Sequence, residues 1–246
     1  MEHVIDEPFV SVRIMKDRTR RTFIRAGLIA GASTFAGAML VRAATEKKNE
    51  EEEEVSPAED LMREHGVLKR VLLIYGEAIR RIDANADLPP ATVADSAKII
   101  RSFIEDYHEK LEEDFLFPRF RKAGKLVDLV DVLFQQHQAG RRVTDATLQL
   151  ATFQALENSD DRRKLADAMR QFIRMYNPHE AREDTVLFPA FRKIVSGHEY
   201  DSLGEDFEKK EHELFGQEGF EGMVDKVAGI EKKLAIYDLA QFTPKT

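Results

Sequence analysis

Two pentapeptides in this chain, HEKLE at 108–112 and HEARE at 179–183, share the pattern His-Glu-x-x-Glu. Each leads into a similar ending, DFLFPRFRK at 114–122 and DTVLFPAFRK at 184–193. On a helix, residues i and i+4 lie one above the other on the same face. Each copy therefore presents one imidazole and one carboxylate in the same direction. Two such faces brought together make a pocket for hard or borderline divalent metals, iron above all.

The repeat is longer than these motifs. His65, in EHGVLKR, and His137, in QHQAGRR, stand 72 positions apart, and a basic pair follows each at i+4 and i+5. His108 and His179 stand 71 apart. The order is a lone His, then His-Glu-x-x-Glu about forty residues later, and then the same again. Forty residues is the length of one helical hairpin with its loop. Two hairpins related by a pseudo-twofold axis predict an all-α, antiparallel up-down four-helix bundle.

Hydrophobic periodicity supplies those helices. Leu61, His65, Leu68, Leu72, Tyr75, Ile79 and Ile82 step by fours and threes as one buried stripe. A second helix from about Thr92 to Lys122 places Ala97, Ile100, Ile104, His108, Leu111 and Phe115 on one side. The third carries Leu126, Val130, Leu133, His137, Gly140 and Thr144, and the fourth Leu165, Met169, Phe172, Tyr176, His179, Glu183, Val186 and Ala190. All four His thus fall on inward seams. Pro118 and Pro189 are expected to kink both helices at equivalent points. Phe-Ile-x-x-Tyr repeats at an offset of 69 rather than 71, so a bulge or kink is expected at Asn177-Pro178, just before His179.

A buried Glu is costly unless paired, protonated or bound to a cation. A hydrogen-bonded structural network would explain one buried His. Four His with Glu112 and Glu183 on four seams point instead to metal.

Composition narrows the function classes. With 246 residues and 43% apolar content, the chain can build one large domain with appendages. It has no cysteine, which excludes disulfides, thiolate metal sites and Cys nucleophiles. The net charge of −8 and the lack of a basic cluster after the N-terminal segment argue against nucleic acid. Residues 1–44 are expected to be an export signal and 45–56 an acidic linker. Thr19-Arg20-Arg21-Thr22-Phe23-Ile24-Arg25 resembles a twin-arginine signal, followed by 16 uncharged residues, Ala26 to Val41. That stretch is shorter than the ~20 needed to span a bilayer. The expected partner is the twin-arginine export machinery, and the expected location periplasmic or cell-envelope, tethered to the membrane if the signal is uncleaved.

The ligand pattern resembles the hemerythrin-like (HHE cation-binding) family over residues 57–196: His65, His108 with Glu112, His137, and His179 with Glu183. The resemblance implies a bundle holding two non-haem irons, bridged by oxo or hydroxo as well as by Glu112 and Glu183. His65 and His108 would serve one iron, and His137 and His179 the other. It also implies a small ligand (dioxygen, peroxide or nitric oxide), or iron sensing, with a peroxidase, ferroxidase or nitric-oxide reductase as the alternative. One departure stands out. Oxygen carriers of the family have a second His four residues after the third-helix His, where this chain has Arg141. Glu109 or Glu180 could fill the vacated position, or could turn outward into solvent. Tyr107, Tyr176 and Arg141 are candidates for contacts around the ligands, and Phe115, Phe117, Leu187 and Phe188 for an apolar wall.

Residues 197–246 lie outside the resemblance. Gly216 and Gly219 divide them into two short helices, the second with an apolar face of Phe220, Met223, Val224, Val227, Ile230 and Leu234.

Overall fold

The computed structural model describes residues 55–216 and 219–244, and the expected export signal lies outside the described residues. The described residues are helical, with no strand among them. No helix among them is long and apolar enough to cross a membrane.

Helix α1 (Pro57–Asp83) starts at a capping box, with the Ser56 hydroxyl accepting from Glu59 N–H and the Glu59 carboxylate accepting from Ser56 N–H. Pro57 at the first position costs nothing, because its missing N–H would be unsatisfied there. Arg80 and Arg81 in the last turn complement the helix dipole. Residues 90–123 form one helical rod, α2, ended by Gly124 in the left-handed conformation (φ 61°). Helix α3 is Val127–Leu150, and the short α4 is Phe153–Glu157. A second rod, α5 (159–191), starts at Asn158, whose side chain accepts from the N–H groups of Asp160 and Asp161.

Helices α1 and α3 each pack against both α2 and α5. The core between them is apolar, with Leu61, Leu68, Ile104, Leu111, Leu133, Met169 and Phe172 all buried. The same seams carry the four His. Helices α6 (Gly197–Phe215) and α7 (Gly219–Lys233) pack outside α1, and α7 also touches α2. Met223, Val227, Ile230 and Leu234 are buried there, so the apolar face of α7 is covered within the chain.

Both rods change helix type at the same place. Glu112–Leu116 and Glu183–Leu187 are π-helical, with Phe117 N–H bonding to Glu112 C=O and Phe188 N–H to Glu183 C=O. A proline follows each wide turn, Pro118 and Pro189. In an unbroken α-helix each proline ring would crowd the carbonyl four residues back. The π turn relieves this, and it begins at the two inward carboxylates; such turns recur at functional sites.

Of the bulge or kink expected at Asn177-Pro178, the bulge is absent: α5 stays α-helical from Ser159 through Arg182. Arg174 and Pro178 are exposed, so the carbonyl freed by the missing N–H can be hydrated. The wide turns of Ile100–His108 fall in the other repeat, ahead of His108.

Candidate metal centre

Position by position, α1 supplies His65, α2 supplies His108 and Glu112, α3 supplies His137, and α5 supplies His179 and Glu183. All six are buried. The Nε2 atoms face the two carboxylates. His65 Nε2 is 3.4 Å from Glu183 Oε2, and His179 Nε2 is 3.1 Å from Glu183 Oε1. His137 Nε2 is 3.9 Å from that same Glu183 Oε1. Glu112 Oε2 is 3.4 Å from His137 Nε2 and 3.8 Å from His108 Nε2. Each carboxylate therefore spans the two His pairs. His65, His108 and Glu183 bring ligand atoms within 4.8 Å of one another, and so do His137, His179 and Glu183. Ligand atoms sharing one ion at ~2.0–2.2 Å lie roughly 3–3.5 Å apart, close to this spacing.

The opposite edge of every imidazole is anchored. His65 Nδ1 lies 2.7 Å from Asp184 Oδ1, and His108 Nδ1 lies 2.7 Å from Glu64 Oε2. His137 Nδ1 lies 3.1 Å from Glu113 Oε1, and His179 Nδ1 lies 2.8 Å from Gln136 Oε1. Each acceptor receives a hydrogen bond from Nδ1–H, which leaves the Nε2 lone pair aimed inward. Sequence reasoning missed all four acceptors. A signal existed: Glu64 and Gln136 each precede the lone His of their repeat, and Glu113 and Asp184 each follow the inward Glu.

Aromatic rings complete the enclosure with the same pseudo-symmetry. Phe188 stacks on His65 at 5.6 Å, and Phe117 on His137 at 5.4 Å. Leu187 is buried with them. Phe115 is not part of this wall, since the wide turn rotates it outward onto Phe207 of α6.

Glu109 and Glu180 are not turned into solvent; both are buried, and each is ion-paired to a base four residues after a lone His. Glu109 is buried, ion-paired to Arg141 Nη2 at 2.8 Å, and accepts a 2.5 Å hydrogen bond from the Tyr176 hydroxyl. Its oxygens also approach Glu113 and His137, but the guanidinium of Arg141 already supplies the positive charge there. Glu180 is buried and ion-paired to Lys69. Lys69 and Arg141 are both four residues after the lone His, so this pairing too follows the repeat. Tyr107 is buried beside Glu64 and packs on Phe103 and Phe215.

Electrostatics separate the two central carboxylates. Burial and the neighbouring Glu183 charge hold Glu112 well above the usual carboxylate range. For Glu183, burial acts the same way, but His179 and His65 outweigh it and hold its carboxyl well below that range. Burial lowers His65, yet Asp184 and Glu183 raise it to about 9. Burial, with the nearby His65 charge, keeps His108 well below its ordinary value; burial pulls His137 down to about 4 against the pull of Glu113. Burial pushes Glu64 up to about 8. Without cations, the pocket thus holds protons on groups that a metal requires deprotonated. Metal binding must release them, so affinity weakens as pH falls.

These residues fit a pair of cations. Both oxygens of Glu112 and of Glu183, and Nε2 of His108 and of His137, are buried with no hydrogen-bond partner among the described residues. Orphaned donors and acceptors on this scale are costly unless something binds them.

Gly140 of α3 admits Tyr176 to this region, because a Cβ there would lie 2.2 Å from the Tyr176 hydroxyl oxygen. Gly140→Ala is expected to lower stability by about 1–3 kcal/mol through overpacking. The helix-propensity gain of roughly 1 kcal/mol does not offset this, because Tyr176 is fully buried and stacked on Phe172 at 4.3 Å. Urea unfolding of the metal-free protein measures the change, and an unchanged or higher midpoint would contradict it.

The model of the hemerythrin HHE cation-binding domain matches residues 56–155 and, in a second match, 128–243. Uncharacterized proteins of Mycobacterium bovis and Mycobacterium tuberculosis (strains CDC 1551 and H37Rv) are each 54% identical over 195 residues, covering 79% of this chain and 76% of theirs. No solved structure matches at a significant level.

Proposed function

The chain belongs to the hemerythrin HHE cation-binding domain family, and on that premise we propose a non-haem di-iron protein that binds or senses dioxygen, peroxide or nitric oxide, or senses iron. The fold is then the up-down four-helix bundle of that family, formed by α1, α2, α3 and α5. One observation carries the reading. Two His pairs face the same two carboxylates, and the Nδ1 of each of the four imidazoles is tied to an outer acceptor.

His65 and His108 would hold one iron, His137 and His179 the other, and Glu112 and Glu183 would bridge them. When bound, the iron pair supplies electrons to dioxygen or peroxide, or an open position to nitric oxide. The protein's own residues do the rest. The outer acceptors fix the tautomer of each imidazole, and the carboxylates offset the charge of neighbouring cations. Phe117, Phe188 and Leu187 keep bulk water from the centre. Burial of every ligand supports a ligand of only a few atoms.

Arg141 favours the enzymatic reading as the alternative. It directs a guanidinium to Glu109 and Glu113 where an oxygen carrier places another imidazole. A centre with fewer His and more carboxylate favours oxidised iron, and hence peroxidase, ferroxidase or nitric-oxide reductase chemistry. Anaerobic loading with ferrous iron, then air, tests both. The expected product holds two irons per chain; a reversible charge-transfer band marks a carrier or sensor, and continued consumption of reductant marks an enzyme. Elemental analysis giving one metal or none after iron-replete loading would overturn the di-iron reading. Export through the twin-arginine route is proposed on Thr19 to Arg25 alone, and mature protein found only in the cytoplasm would refute it.

A further inference from the structure

We infer that the two metal positions are built unequal, the His65/His108 position binding a divalent cation first and the His137/His179 position second, because the residues behind their imidazoles differ in kind and in their other partners. The inference rests on the function proposed above and concerns this chain's own residues towards the ions.

The backing residues come from equivalent places in the two repeats, so any difference between them is a difference of chemistry. Glu64 precedes His65 and accepts from His108; Gln136 precedes His137 and accepts from His179. One imidazole therefore rests on a carboxyl group and its counterpart on a neutral amide. A carboxyl group can ionise when a cation binds the imidazole in front of it, and a hydrogen bond to a charged acceptor is roughly twice as strong as one between neutral groups; an amide gains nothing of the kind. A carboxylate can also draw the Nδ1 proton towards itself, which an amide oxygen cannot do, and this raises the donor strength of Nε2.

The other pair differs in a second, independent way. Asp184 backs His65 and Glu113 backs His137, both acidic. Glu113, however, also receives Lys110 at 2.5 Å and Arg141 Nη1 at 2.7 Å, so two cations compete with His137 for its charge. No Lys or Arg among the described residues forms an ion pair with Asp184 or Glu64. The His65/His108 position is thus backed by two acidic groups that make no ion pair with Lys or Arg among the described residues. The His137/His179 position is backed by one neutralised carboxylate and one amide. Both differences point the same way.

Repulsion between the two ions would itself make the second bind more weakly, so two-step binding by the native chain is not diagnostic. Isosteric exchanges of the backing residues are. The metal-free full-length chain is titrated anaerobically with ferrous iron and followed by calorimetry, with circular dichroism as the folding control. Changing one outer partner typically alters metal affinity ~10–100-fold. Glu64→Gln is expected to weaken the first step by that order and leave the second in place. Gln136→Glu is expected to tighten the second step and leave the first. The inference is overturned if Glu64→Gln weakens only the second step, if Gln136→Glu tightens the first, or if neither variant moves either step. A native chain that takes up no ferrous iron would overturn the proposed function as well, whereas two equal steps insensitive to both variants would overturn this inference alone.

Discussion

Glu183→Ala is expected to abolish retention of both cations rather than one. Its two oxygens serve opposite His pairs, Oε2 towards His65 and Oε1 towards His179 and His137. In the proposed di-iron centre, removing it would take a ligand from each ion and leave their mutual repulsion less compensated. The loss of affinity should therefore exceed the ~10–100-fold typical of losing an outer partner. Glu112→Ala should behave alike, since Glu112 Oε2 faces both His108 and His137. His65→Ala and His137→Ala should chiefly weaken one position each. Metal content after iron-replete expression and desalting checks this directly. Full iron stoichiometry in Glu183→Ala would show that its carboxylate does not bridge.

Arg141→Leu is expected to give the largest loss of folding stability. The guanidinium is the cation paired with Glu109, which is buried at 1% exposure, and it also pairs with Glu113 and donates to the Glu105 backbone carbonyl. Breaking a buried pair by removing one partner typically costs about 3–5 kcal/mol, because the other charge is stranded. The sign of the pH dependence follows from burial, which already holds the Glu109 carboxyl well above its ordinary range, with Arg141 opposing. In the variant, the folded state favours protonated Glu109 still more. That preference supports folding at acid pH and is lost as pH rises through the folded-state value, so the defect should deepen with rising pH. Arg141→Leu combined with Glu109→Leu should recover much of the loss, since apolar replacement of both partners is often neutral or better. Thermal unfolding of the metal-free proteins across pH reads all of this. A defect independent of pH and unrelieved in the double variant would show that Arg141 acts only by packing.

The legible part of the centre was the part governed by helical periodicity. A helix has one repeat, 3.6 residues per turn, and a buried stripe must follow it. His65, His108, His137 and His179 occupied stripe positions among Leu, Ile and Phe, and the structure buries all four on facing helices. Glu112 and Glu183, one turn on from a His, were placed inward by the same rule, and the structure sets both against the Nε2 atoms. Phe115 was misplaced by it: the π turn Glu112–Leu116 changes the angular step, and the ring meets α6 instead.

The partners of the outer residues depended on which helices become neighbours, and no local pattern encodes that. The sequence by itself determined that the described residues are helical and that six buried ligand-type side chains recur in two matched sets. Only the tertiary structure decided that Glu109 is tied to Arg141 and Tyr176, and Glu180 to Lys69, rather than turned to water. It alone paired Glu64 with His108 across α1 and α2, and Gln136 with His179 across α3 and α5. Periodicity specifies the direction in which a side chain leaves its own helix. Hydrogen bonds and ion pairs form between side chains that leave different helices, and their partners exist only once those helices have packed.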